Sequence, residues 1–194
     1  MAMSSRLKEY LDSNRVRYTA AKHPVVYTAQ EIAAAQHVPG RRLAKCVLVL
    51  TDRGPVFAVL AAVYLIHLTK LKGFLRAKKV SIGREADIKQ HFPDVEVGAM
   101  SPFGNLYQVP VVVDKELSEA GEIVFNAGSH TDTIKMAYAD FARLVKPKVG
   151  IFGHTIAAAA PKKKAKAASP AKRTSPARRA AKPRAAARKR PRKR

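Results

Sequence analysis

Three stretches of this chain carry residue types that could do chemistry. The first is a charged group inside an apolar run. In Leu43-Ala44-Lys45-Cys46-Val47-Leu48-Val49, strand alternation puts Lys45 on the face shared by Leu43, Val47 and Val49. An unpaired ammonium is costly to bury, so such a lysine sits at a sheet end, pairs with an acid, or points into a ligand pocket. The second stretch is the loop Gly98-Ala99-Met100-Ser101-Pro102-Phe103-Gly104. Glycines let backbone N–H groups approach a ligand oxygen, as an oxyanion site requires, although a glycine-proline loop can equally be only a turn. The third is Asn126-Ala127-Gly128-Ser129-His130-Thr131-Asp132. Ser129, His130 and Asp132 are too close in sequence for a hydrolytic triad, whose members come from separate parts of a fold. His130 is either a turn cap or an acid–base group, its ordinary pKa lying near neutrality. His23, before Pro24, is open to a cleft-lining or a structural role.

The elements that must position these groups follow from periodicity. Leu7, Tyr10 and Leu11 predict a helix over Ser5 to Ser13, and Val16 to Thr19 alternates like a strand. Thr28-Ala29-Gln30-Glu31 is a capping box that starts a helix continued by Ile32 and ended by Pro39-Gly40. Leu43 to Thr51 and Val56 to Val63 predict a central hairpin around Asp52-Arg53-Gly54-Pro55. Leu68, Leu71 and Leu75 mark a helix, and Ile88 with Phe92 another. Gln108 to Asp114, Glu122 to Phe125 and Thr133 to Ala137 read as strands, with a last helix over Asp140 to Leu144. No regular βαβ rhythm appears. The expected fold class is mixed α/β, with an antiparallel or mixed central sheet flanked by helices rather than a doubly wound one.

Composition divides the chain into residues 1–156 and 157–194. Of a net charge of +23, the last 38 residues supply 8 Lys and 8 Arg without an acid, leaving +7 for the rest. Those residues are almost all Ala, Lys, Arg, Pro and Ser, which cannot bury a core, so disorder is expected. Lys162, Lys163, Lys164, Arg178, Arg179, Arg188, Lys189 and Arg190 are the candidate phosphate contacts of this tail. Ser169-Pro170-Ala171-Lys172-Arg173 and Ser175-Pro176-Ala177-Arg178-Arg179 form a loose repeat that resembles linker-histone tails. The lone Cys46 excludes an intrachain disulfide, and six scattered His give no paired metal-ligand spacing, so no metal is expected. No apolar run reaches the ~20 residues of a membrane span and no signal segment is visible, which predicts a cytoplasmic protein, nucleoid-associated if the tail takes DNA.

Together, His23-Pro24, Thr28-Ala29-x-Glu31, Lys45 in its strand, Phe92-Pro93-Asp94-Val95-Glu96-Val97-Gly98-Ala99-x-Ser101-Pro102-Phe103-Gly104, Val112-Val113-Asp114 and Ala127-Gly128-x-His130 resemble the YbaK-like aminoacyl-tRNA deacylases. These are relatives of the editing domain inserted in bacterial prolyl-tRNA synthetases. The resemblance spans roughly residues 5–152. It implies a trans-acting hydrolase of the ester between a misplaced amino acid and tRNA, without a cofactor or an acyl-enzyme nucleophile. It implies that Lys45, Gly98 and His130 carry catalysis, with His23, Thr28, Ala99, Met100, Ser101, Pro102, Gly128 and Ser129 around the substrate. The aminoacylated 3′ end of tRNA is the expected partner, with a synthetase as a further candidate. One departure bears on substrate choice: Val63-Tyr64-Leu65-Ile66-His67-Leu68 stands where many members have a Pro-Ala turn followed by Val-Asp, a segment that can border the amino-acid pocket. The alternative reading is a non-catalytic nucleic-acid-binding protein with an old hydrolase domain as its head.

Overall fold

The structure, a computed structural model, describes residues 3–25 and 27–155; the basic tail and its candidate contacts lie outside them. The chain opens with helix α1 (Ser5–Ser13), whose Leu7 and Leu11 are buried at the spacing the sequence predicts. A left-handed Arg15 turns the chain, and Val16 N–H donates to Leu11 O. The first strand therefore begins later than alternation suggested, as β1 (Tyr18–Lys22). Helix α2 (Ala29–Ala35) starts at the expected capping box: Glu31 N–H donates to the Thr28 hydroxyl, and Thr28 N–H to the Glu31 carboxylate.

The hairpin is β2 (Ala44–Thr51) against β3 (Gly54–Ala61), followed by β4 (Tyr64–Ile66), α3 (Leu68–Leu75), β5 (Val80–Ile82) and α4 (Glu85–His91). A 3-10 turn at Gly104–Tyr107 and a left-handed Gln108 take up the start of the expected strand at Gln108, so β6 is Val111–Asp114. Then come α5 (Lys115–Ser118), β7 (Glu122–Asn126), β8 (Asp132–Ala137), α6 (Tyr138–Val145), β9 (Lys148–Gly150) and β10 (Gly153–Thr155).

The hairpin is central, as expected. Five strands run in the order β5-β2-β3-β6-β9, antiparallel at β5-β2-β3 and parallel at β3-β6-β9. A second, antiparallel sheet has the order β1-β8-β7, and β4 pairs with β10. The sheet is mixed because β6 and β9 return to it through connections that cross over. Phe57, Phe92, Phe103, Phe125, Phe141 and Phe152 are fully buried, each worth about 1.5–3 kcal/mol of transfer. The two larger sheets are bridged by hydrogen bonds where Leu43 pairs with Val124 and Val124 N–H donates to Arg42 O at 2.9 Å. That junction brings the start of β2 beside the end of β7.

Candidate active site

Lys45 is the second residue of β2, next to this junction. Its ammonium is half-buried and donates to Ala62 O at 3.3 Å. Burial lowers its pKa below the ordinary 10.5, and among the described residues it stands in no ion pair. A cation held this way has unmet attraction for negative charge. It faces a small cavity of about 50 Å³, lined also by Tyr27, Ile32, Met100, Asn126 and the exposed Gly98. Burial pushes the pKa of the neighbouring Cys46 thiol up, which disfavours the reactive thiolate. A roomier cleft of about 320 Å³ lies on the three-stranded sheet, but there Glu122 is matched by Arg42 at 3.9 Å and Lys135 at 3.1 Å.

The loop that carries Gly98 and Met100 beside the cavity is tied to the loop that follows Asn126. Gly128 N–H donates to Ala99 O at 3.0 Å, Glu96 N–H to Gly128 O at 2.9 Å, and His130 N–H to the Glu96 carboxylate at 2.8 Å. The last bond comes first among the causes that hold the Glu96 pKa below its ordinary value. The His130 Nε2 lies 3.0 Å from Val97 O, and since a carbonyl only accepts, Nε2 carries a proton. Nδ1 is buried without a partner. Gly98 adopts φ +91°, and a Cβ built there would lie 3.4 Å from His130 Cε1. Gly128 adopts φ +101°, and a Cβ there would lie 3.0 Å from Ser4 Cβ. Both glycines are thus required by backbone conformation. The amides of Gly98 and Met100 donate to no protein acceptor among the described residues.

Of the residues singled out in sequence, Lys45, Gly98 and Met100 border the cavity itself, with His130 directly behind Gly98. Ala99 is fully buried, and Ser101 and Pro102 are buried where the loop returns to the core. The fully buried Ser129 donates to Asp132 at 2.6 Å, and Thr131 adds a bond of 2.8 Å. Burial alone would raise the pKa of Asp132; those hydroxyls with the charges of Lys22 and His23 outweigh it and leave it lowered. His23 is buried at the end of β1, its N–H donating to Thr131 O, so it buttresses this loop. Thr28 is exposed, its hydroxyl accepts at the α2 cap, and it does not itself line the cavity. The departing segment forms β4, and Tyr64 borders a different cleft, so it does not line the Lys45 cavity.

Two cavity residues were missed in sequence. Asn126 closes β7, is 9 % exposed, and its Oδ1 is buried without a hydrogen bond. Tyr27 is 72 % exposed and lays its ring 4.9 Å from that of His130. The sequence signal for Asn126 was its place at the head of the polar loop. Tyr27 offered none, being one aromatic before a helix cap. Among the described residues no group of three or more His, Cys, Asp or Glu is placed to hold a metal, and no helix is long and apolar enough to cross a membrane.

The fold itself is shared with solved structures. The chain is similar to the hypothetical protein APE2540, with a TM-score of 0.71, 15 % identity and coverage of 77 % of this chain and 100 % of that one. It is equally similar to a candidate trans-editing enzyme for prolyl tRNA synthetase, with a TM-score of 0.69, 14 % identity and coverage of 78 % and 96 %. By sequence, the prolyl-tRNA editing protein ProX of Acetoanaerobium sticklandii is 26 % identical over 148 residues, which are 73 % of this chain and 90 % of that protein. Residues 23–144 match the aminoacyl-tRNA editing domain, and the chain belongs to that family.

Proposed function

We propose that this protein hydrolyses the ester of mischarged aminoacyl-tRNA in trans, releasing the amino acid and restoring the free 3′ end. The observation that carries this reading is the half-buried Lys45, without a carboxylate partner among the described residues, beside a cavity roofed by Gly98 in an editing-domain fold. Water adds to the aminoacyl carbonyl, the oxygen gains negative charge, and the ribose oxygen leaves with a proton. The unmatched amides of Gly98 and Met100 and the Lys45 ammonium are the groups available to stabilise that charge or to hold the terminal nucleotide. His130 acts as a positioning residue, its Nε2 engaged with Val97 O.

The cavity of about 50 Å³ is small, which favours an aminoacyl group such as alanine, serine or cysteine. Such a sieve complements a synthetase, because binding alone separates small side chains by only ~1–3 kcal/mol. The basic tail, as a domain of its own from residue 157, adds sequence-independent affinity for the tRNA polyanion. The test is single-turnover deacylation by the full chain across tRNAs charged with alanine, serine, cysteine and their cognate residues. Hydrolysis of one or more small mischarged species with sparing of cognate ones is expected. Nucleic-acid binding with no hydrolysis of any species would make the chain a binding protein instead.

A further inference from the structure

One group of exposed cations lies away from Lys45. Near the junction, Arg41 and Arg42 are engaged with Glu116 at 3.4 Å and Glu122 at 3.9 Å. At the far end of β2 the situation reverses. Arg53 in the hairpin turn, Arg76 and Lys146 at the left-handed ends of α3 and α6, and Lys148 on β9 are exposed and unpaired among the described residues. Lys78 and Lys79 follow Arg76 and are exposed too. Asp52, beside Arg53, spends its carboxylate on the amides of Lys78 and Lys79 at 2.7 and 3.2 Å.

Arg53, Arg76, Lys146 and Lys148 border two adjoining clefts, of about 530 and 570 Å³, that share Arg53, Leu75 and Lys148 and have no acidic residue in their walls, while Lys78 and Lys79 lie outside those walls. Partly buried Phe74 and exposed Val149 give the second an apolar floor. Fold requirements explain part of this charge. A cation offsets the dipole at a helix C-terminus, and a lysine guards an edge strand such as β9. Neither reason covers Arg53, Lys78 or Lys79, and gathered like charges repel one another unless an anion joins them.

We propose that these clefts form a second tRNA contact, holding phosphates of the acceptor arm away from the ester; this rests on the editing reading above. Lys45 and Arg53 are eight strand residues apart, roughly 25 Å. A nucleic-acid strand rising about 3.4 Å per nucleotide spans that distance in about seven nucleotides, which carries it past the unpaired 3′ end into the stem. Separate cations on a turn, two helix ends and a strand suit spaced phosphates, and they position without reading sequence. The chain's own tail has the same sign of charge and is no complement to them.

The test uses the full chain and uncharged tRNA, so it does not depend on hydrolysis. The variant Arg53→Gln/Arg76→Gln/Lys148→Gln is compared with the control Arg17→Gln/Lys70→Gln/Lys89→Gln, which removes the same charge from other exposed sites. The cleft variant should bind on the order of 10-fold more weakly at low salt, with a log–log salt slope shallower by about 2 to 3, while its saturating single-turnover rate stays unchanged. Equal effects of the two sets, or loss of duplex DNA binding with tRNA binding intact, would overturn the proposal. If no mischarged tRNA is hydrolysed but the slope changes as expected, the editing reading fails and the cleft stands as a tRNA contact.

Discussion

Substituting Gly98 by alanine perturbs the backbone before it perturbs packing. The added Cβ would meet His130 at 3.4 Å from Cε1 and 3.9 Å from Nε2, which is ordinary contact, so sterics alone permit it. The φ of +91° does not suit an L side chain, and holding one there costs about 1–3 kcal/mol. The loop has two responses. It keeps its conformation and the domain loses that stability, a fall in Tm of about 2–4 °C per kcal/mol at this size. Or it relaxes, displacing the Gly98 and Met100 amides and breaking the bond of His130 to Val97. Gly98→Val adds two methyl groups toward the imidazole and forces the second response. We expect Gly98→Ala to lower Tm measurably, and Gly98→Val to reduce single-turnover deacylation more than His130→Ala does. The assays are thermal unfolding by circular dichroism and single-turnover hydrolysis at saturating enzyme. A Gly98→Val protein with wild-type Tm and rate would refute both the conformational and the oxyanion argument.

Asn126→Ala removes a buried oxygen without a hydrogen-bond partner, so Tm should stay within about 3 °C while kcat/KM for the mischarged tRNA falls at least about 10-fold; unchanged kinetics with a large Tm loss would make it structural. Asp114 is buried and accepts from Phe152 N–H at 2.9 Å and Gly153 N–H at 2.6 Å. Asp114→Ala should therefore cost about 3 kcal/mol in denaturant unfolding while leaving deacylation of the remaining folded protein intact. Truncation after Ile156 should leave the saturating rate unchanged and weaken tRNA capture at low salt only, converging with the full chain at high salt; a salt series of binding and rate checks both.

The long elements were legible because their signals are local. The α1 helix matches the Leu7/Leu11 spacing, the Thr28–Glu31 box starts α2, and the Asp52-to-Pro55 turn marks the hairpin. The three-residue strands β4, β5, β9 and β10 escaped notice, since alternation over three residues carries no period and their pairing is set by partners distant in sequence. Lys45 stood out because a charge in an apolar strand conflicts with its surroundings. Asn126 did not, because an Asn at a strand end is ordinary turn chemistry and its missing hydrogen bond exists only in three dimensions. The role of His130 was equally hidden: Val97 O, which fixes the ring, is 33 residues away.

The most direct test of the account is Lys45→Ala, measured for rate and stability together. Burial lowers the folded-state pKa of Lys45, so the folded protein binds that proton less tightly than the unfolded chain. The group therefore costs stability at neutral pH, and the cost fades as pH rises through the lowered folded value toward the ordinary 10.5. Removing the ammonium should leave Tm at or above that of the parent at pH 7. Loss of a cation from a partly desolvated cavity should lower single-turnover deacylation by about 10² or more. A Lys45→Ala protein that hydrolyses mischarged tRNA at near the parent rate would contradict the account and make Lys45 a strand-end lysine with no part in the chemistry.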